Sequence, residues 1–319
     1  MSRGPLVSVV IPVFNGAPYV AESLESVLAQ TYDEIEYVVC ENHSSDSTAE
    51  IVDHYARGDS RLRVVSPPTF LSQTANSNYA IGHAHPEAKY VKIVHADDTI
   101  EATCVAKMVA IAEEHGTVGM VGARRLVGSD TVDLVGVPPT ALLVPGVWLI
   151  GAQMLGLPYT TGPPTATMLR ADILRRLPGP YDESYVHADD ALSYRILLES
   201  DFGYVPETLT FTRVHHGAAT TWAQRVGTWL PEHLRMTLEF GHGVLSQAEF
   251  EAIAGRLERE YIWQLVRHSL RLKLLRQADA RRFHRRALAS LEGPYRSSGR
   301  DVPLVLRPFV RGRADSARP

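Results

Sequence analysis

Two strings in this 319-residue chain set a pair of acids behind a histidine: Val94-His95-Ala96-Asp97-Asp98 and His187-Ala188-Asp189-Asp190. Adjacent carboxylates repel, so such a pair calls for a cation or for protonation. A hard divalent ion held at the first pair would bridge the oxygens of a diphosphate. Both pairs also have a plainer reading as helix caps. Asp97 or Asp98 would cap a helix starting near Thr99–Ala102, and one of Asp189 and Asp190 a helix at Ala191–Glu199. A third string, Thr212-Arg213-Val214-His215-His216-Gly217, offers imidazoles that either ligate a metal or stay hydrogen-bonded in a loop. The sequence has no GxGxxG or GxxxxGK[ST] phosphate cradle and no GxSxG nucleophile elbow.

Short apolar runs alternate with helical patterns around these strings. Leu6–Pro12, Ile35–Cys40, Leu62–Val65, Tyr90–His95 and Val118–Val121 read as strands. Tyr19–Gln30, Thr48–Arg57, a stretch ending near Gly82, and Thr103–His115 read as helices. Strands separated by helices predict βαβ units, hence an α/β fold with a mainly parallel sheet flanked by helices. Ligands in such sheets bind beyond the carboxyl ends of the strands, and those ends carry Asn15, Glu41-Asn42 and Asp97-Asp98.

Composition narrows the class. With 45% hydrophobic and 21% charged residues, the chain can bury a large core, which excludes disorder and small disulfide scaffolds. Cys40 and Cys104, the two cysteines, form no CxxC or zinc set, and a reducing, cytoplasmic location is expected. No signal peptide is read at MSRGPL. The net charge of −4 hides an asymmetry: residues from Arg256 onward carry 16 basic and 6 acidic side chains, leaving an acidic body. That distribution argues against nucleic acid as a partner. The uncharged stretch Leu134–Leu169 is interrupted by six prolines, so a buried, partly loop-like apolar wall is expected there rather than a membrane span. A boundary is expected near residue 225. It separates a catalytic domain, residues 1–225, from a helical, basic extension, residues 226–319, whose end from Gly293 should fray or wrap loosely.

Several strings together resemble one family. Val7–Gly16 (VSVVIPVFNG), Ser23–Tyr32 (SLESVLAQTY) and Glu36–Val39 are similar to the opening of family 2 glycosyltransferases. Glu41–Thr48 (ENHSSDST) resembles their "DDGSTDGT" segment. Asn78 fits the Asn of "ARN", His95–Asp98 the "DxDD" motif, and Asp189, six residues before Arg195, the catalytic Asp of "ED-x-x-L-x-x-R". Val205-Pro206-Glu207 and Arg213-x-His215 match the closing motifs, so the likeness covers roughly residues 6–222. There are departures: Glu41 and Asn42 replace two acids, Ser77 replaces an Arg, His95 an Asp, and Ala188 a Glu.

The resemblance implies a GT-A-type, Rossmann-like fold and an inverting transfer from a nucleotide-diphosphate sugar to an acceptor hydroxyl. It implies a donor site of Pro12, Phe14, Asn15, Glu41, Asn42 and Asn78, with Asp97 near the ribose or the metal. Asp98 would be the main ligand to Mg2+ or Mn2+, and His215 a further one. Asp189 would be the base, with Asp190 beside it as the competing assignment. The wall Leu134–Leu169, with Trp148 and Tyr159, would border the acceptor, and Trp148 reads equally as packing. Two rivals share the motif logic: a sugar nucleotidyltransferase, and a nucleotide-sugar-binding protein without catalysis. The basic helices of the extension predict one of three contacts: the acidic body, a second subunit, or the surface of an anionic membrane.

Overall fold

The computed structural model describes residues 4–129, 131–134, 136–215, 219–270 and 277–290. The chain divides into two compact units, residues 1–214 and residues 215–319.

The first unit is built on a ten-stranded sheet. Strands β1 (Val7–Val13), β2 (Ile35–Glu41), β3 (Leu62–Val65) and β4 (Tyr90–Ile93) run parallel in the order β3-β2-β1-β4. Helices α1 (Val20–Leu28), α2 (Thr48–Gly58) and α3 (Gln73–Gly82) supply the connections. Strands covered on both faces must be apolar throughout, which is why VSVVIPV and IEYVVC carry so little alternation. Helix α1 buries Val20, Leu24 and Val27 along one stripe, at the spacing of a helix lying on a sheet.

Beyond β4 the sheet is mixed. Strand β9 (Thr167–Arg170) inserts antiparallel between β4 and β6 (Val118–Val127). Strand β10 (Asp201–Thr212) runs parallel to β6, and the two-residue β5 (Thr99–Ile100) closes the edge against β10. The short β7 (Thr131–Asp133) and β8 (Leu143–Val144) pair with β6 and β10. Helices α4 (Cys104–Glu114), α5 (Gly146–Met154), α6 (Ala171–Arg176) and α7 (Ala188–Leu197) complete the unit.

Two expectations change here. The residues after Asp98 form β5, and α4 starts only at Cys104 behind Thr103, so neither Asp97 nor Asp98 caps a helix. Helix α7 starts three residues earlier than its apolar pattern indicates, with His187 at the cap position. Asp189 and Asp190 therefore lie inside its first turn, where the helix dipole favours negative charge.

The uncharged stretch folds as β8, α5, a 3-10 turn at Pro164–Ala166 and β9. It buries Leu149, Ile150 and Met168 but leaves Val147, Trp148 and Leu155 exposed, so Trp148 is not a core residue. Its turn depends on Gly162, at φ +86°, where an added Cβ would meet Leu134 Cδ1 at 2.8 Å. No helix among the described residues is long and apolar enough to cross a membrane.

The second unit contains α8 (Ala219–Val226), α9 (Trp229–Phe240), α10 (Gln247–Leu270) and α11 (Ala278–Ser290). Val226, Tyr261, Leu265 and Ala280 form one core, with Trp222 and Phe283 packed against it. Leu234, Ile253 and Leu257 form another. Buried His284 joins them, its ring nitrogens 2.9 Å from the Tyr261 hydroxyl and 3.0 Å from the Val226 carbonyl. The stripe Leu257, Tyr261, Leu265 is thus consumed inside this unit. Residues 271–276 and the Gly293–Pro319 end lie outside the described residues.

Candidate active site

The carboxyl ends of β1, β2 and β4 lie side by side because these strands are parallel neighbours. Behind them, three asparagines lock backbone. Asn42, only 2% exposed, donates from Nδ2 to the Leu71 carbonyl and accepts from the Leu71 amide, both at 2.9 Å. Asn78 makes the same exchange with Tyr181, at 2.7 and 2.8 Å. Asn15, at φ +50°, accepts from the Ser45 amide at 2.8 Å. Asn is among the few non-glycine residues that adopt this backbone readily. The next amides are also occupied: Asn15 N donates to Ser44 Oγ, Gly16 N to Thr48 Oγ1 and Ala17 N to Asp46 Oδ2. Glu41 turns its carboxylate onto the amides of His43 and Ser44, at 3.1 and 2.7 Å. Pro12 lies within β1, and Phe14 follows the strand.

Clamping Leu71 presents its neighbour Phe70. The Phe14 and Phe70 rings meet edge to face at 4.8 Å, yet are 46% and 58% exposed. Exposed aromatics at a strand end form a stacking surface that every nucleobase can use. Phe70 has no signal in the sequence, since only Asn42 brings it to Phe14.

His95, Asp97 and Asp98 each offer a ligand atom, all within 4.8 Å of one another. Two carboxylates and an imidazole so close suit a divalent ion in charge and donor type. Asp98 is 3% exposed. Burial pushes its carboxyl pKa up; His95, the Thr165 hydroxyl and the Arg213 amide oppose that rise, while Asp97 adds to it. Thr165 Oγ1 donates to Asp98 Oδ2 at 2.7 Å, and Arg213 N to Asp98 Oδ1 at 3.1 Å. Arg213 also donates from Nε to the Asp97 carbonyl and pairs with Glu22.

Beneath this cluster lies a residue that the motifs omit. Lys92, in β4 and fully buried, donates from Nζ to the carbonyls of Thr165 at 2.7 Å and Thr167 at 3.2 Å. Burial pulls its pKa down, against the pull of Cys104 and Asp98. The signal was available as one charge inside the apolar run YVKIVH, since buried lysines are rare without a task.

The second acid pair sits half-buried in the first turn of α7. The Tyr159 phenol hydrogen-bonds Asp190. Burial, Asp190 and Asp189 together raise its pKa well above the ordinary tyrosine value, with Arg125 opposing. Asp189 acts electrostatically on Tyr181 and His187; burial lowers the His187 pKa and Asp189 raises it. Arg195, further along the same helix, pairs with Asp182 at 3.0 Å. Asp182 is held at about 2, where hydrogen bonds from Ser184 and Arg195 outweigh the rise due to burial. The segment before α7 is therefore tied down by Arg195 from within the helix and by Asn78 from α3. Tyr159 and Thr165, six residues apart, reach one acid pair each.

His215 opens the second unit and is half-buried, its carbonyl accepting from the Thr221 hydroxyl at 3.3 Å. His216 and Gly217 lie outside the described residues.

The model of a family described as Glycosyl transferase family 2 matches residues 8–177, more than half of the chain. The chain belongs to that family. The match takes in β1 through α6 and therefore His95, Asp97, Asp98 and Thr165.

Among relatives, EpsE of Bacillus subtilis (strain 168), a protein named as a glycosyltransferase, is 32% identical over 56% of this chain. The hyaluronan synthase of Pasteurella multocida is 32% identical over 33% of this chain. These matches span 61% and 10% of the relatives' own lengths. The fold is that of S. aureus TarS, solved with UDP-GlcNAc: TM-score 0.66, 20% identity, 89% of this chain and 81% of that one covered. It is also that of the mannosyltransferase PcManGT from Pyrobaculum calidifontis, solved with GDP-Man and Mn2+: TM-score 0.60, 19% identity, 98% and 88% covered. This family 2 glycosyltransferase domain thus has the GT-A fold in the mixed-sheet form described above.

Proposed function

We propose that this chain transfers a sugar from a nucleotide-diphosphate donor to an acceptor hydroxyl with inversion at the anomeric carbon, assisted by Mg2+ or Mn2+. One observation carries the reading: a single segment, 159–165, meets both acid pairs, Thr165 through its hydrogen bond to Asp98 and Tyr159 through its interaction with Asp190, which supports one site for metal-binding and proton-accepting carboxylates. Pro12, Phe14, Asn15, Glu41, Asn42 and Asn78 frame the nucleotide, the asparagines by holding its loops, with Phe14 and Phe70 under the base. Asp97 lies toward the ribose or the metal, and Asp98 is the main ligand. His215 is a further candidate ligand on its sequence motif.

Asp189 takes the proton of the acceptor hydroxyl while that oxygen bonds to the anomeric carbon. The bond from that carbon to the diphosphate breaks on the opposite face, and the nucleoside diphosphate leaves with the electron pair. A divalent ion at this site would neutralise charge on the departing diphosphate. Asp190, tied to Tyr159, orients the pair. The acceptor meets the side carrying Tyr159 and the exposed apolar residues of α5.

A nucleotidyltransferase needs free amides or cations in the first loop to hold a triphosphate. Here the amides of Asn15, Gly16 and Ala17 are bonded to Ser44, Thr48 and Asp46. A non-catalytic binder would not need the second acid pair at all. Two buried free cysteines fit a cytoplasmic place, and the basic helices are the candidate contact to a partner subunit or anionic membrane.

The two structural neighbours hold a UDP-sugar and a GDP-sugar, so the test spans both. Thermal shifts are measured with UDP-, GDP- and dTDP-sugars, with and without Mn2+. A donor should raise the melting temperature by mass action, more with Mn2+, and Asp98→Ala should abolish the Mn2+ increment. No shift with any nucleotide sugar, or an unchanged Mn2+ increment in Asp98→Ala, would overturn the reading.

A further inference from the structure

We propose that Lys92 is a positioning residue for the Asp98 carboxylate, acting through Thr165 and touching neither metal nor donor. The inference rests on the metal-binding reading of Asp98 and deepens it.

The observations form one chain of donors. Lys92 Nζ donates to the Thr165 carbonyl at 2.7 Å, and Thr165 Oγ1 donates to Asp98 Oδ2 at 2.7 Å. The His95 amide donates to the same hydroxyl at 3.1 Å. Lys92, Thr165 and Asp98 are all buried. Thr165 sits in a 3-10 turn of three residues between Pro163 and β9, closed by the Ala166 amide donating to the Pro163 carbonyl at 2.9 Å. The ammonium group ties that turn to β4 by holding the carbonyls on both sides of Ala166.

Desolvating a lysine is costly, and carbonyl dipoles offset that cost only in part. A methionine would fill the same space without the penalty. The lysine gains its use at Asp98, whose free lone pairs must aim at an ion and whose remaining oxygen sites are set by Thr165 and Arg213. Groups that orient ligands from behind are commonly worth 10- to 100-fold in metal affinity.

The test measures Mn2+ binding to the full chain by titration with the free ion, with and without UDP, alongside transfer kinetics and a melting curve. Lys92→Met should weaken Mn2+ binding about tenfold or more. It should raise the Mn2+ concentration for half-maximal activity, with most of the turnover recovered at saturating Mn2+. Metal-free UDP binding should be unchanged. Thr165→Val should act likewise, Thr165→Ser should restore affinity, and the double variant should be no worse than the weaker single one.

Additive losses in the double variant, or wild-type Mn2+ affinity in Lys92→Met, would overturn the proposal. So would a loss of turnover that excess Mn2+ does not recover, since that marks general disorder. If Lys92→Met does not fold, the Thr165→Val and Thr165→Ser pair decides: equal Mn2+ affinity in both rejects the relay. If Asp98→Ala itself binds Mn2+ normally, the metal reading fails first, and the relay with it.

Discussion

The phenol of Tyr159 hydrogen-bonds the carboxylate of Asp190, thirty-one positions away in sequence, and not that of Asp189. Its pKa is well above that of an ordinary tyrosine, so it stays protonated and keeps donating. That bond commits Asp190 to the protein and suits Asp189 to the proton-accepting role proposed above. We expect Asp189→Asn to lose about 10²–10⁴-fold in turnover with donor affinity intact. Asp190→Asn and Tyr159→Phe should lose about tenfold or less. Saturating kinetics on the three variants check this, and a dead Asp190→Asn beside an active Asp189→Asn reverses the assignment.

Asn42 stands where the family usually carries an aspartate, and its amide uses both donor and acceptor on Leu71. Restoring the family residue should therefore harm this chain. In Asn42→Asp the buried carboxylate faces the Leu71 carbonyl with no donor to offer, a loss of about 1–3 kcal/mol. Urea unfolding measures it. A variant as stable as the parent would mean that the clamp contributes nothing.

The clamp between Asn78 and Tyr181 ties α3 to the segment entering α7. Asn78→Ala removes two hydrogen bonds and should reduce stability by about 1–3 kcal/mol. Turnover should fall further than nucleotide affinity, because the loosened segment leads to Asp189. Equal loss in both would place Asn78 on the nucleotide itself.

His233 gives the second unit an acid limit. Burial, with Arg256 nearby, lowers its pKa to about 4, so it is neutral when folded. An unfolded histidine titrates near its ordinary value, about 6.5. Its stabilising effect is complete above that value and is lost as pH falls from about 6.5 to about 4, a change of about 3 kcal/mol. Replacing it with leucine should flatten the stability–pH curve across that window. Parallel curves for parent and His233→Leu would refute the assignment.

The donor half of the molecule was legible in the sequence because its determinants are local. A buried parallel strand must be apolar along its length, so β1, β2 and β4 announce themselves, and their ends must carry whatever binds. His95, Asp97 and Asp98 are close because four consecutive positions cannot be far apart. Tertiary structure decided everything that depends on residues distant in sequence. No local pattern brings Phe70 to Phe14, Tyr181 to Asn78, or Tyr159 to Asp190. The antiparallel insertion of β9 is what sets Thr165 between Lys92 and Asp98. Sequence spacing named the acids, but burial and long-range hydrogen bonds gave each one its surroundings, and surroundings set whether a carboxylate binds a metal, accepts a proton or holds a loop.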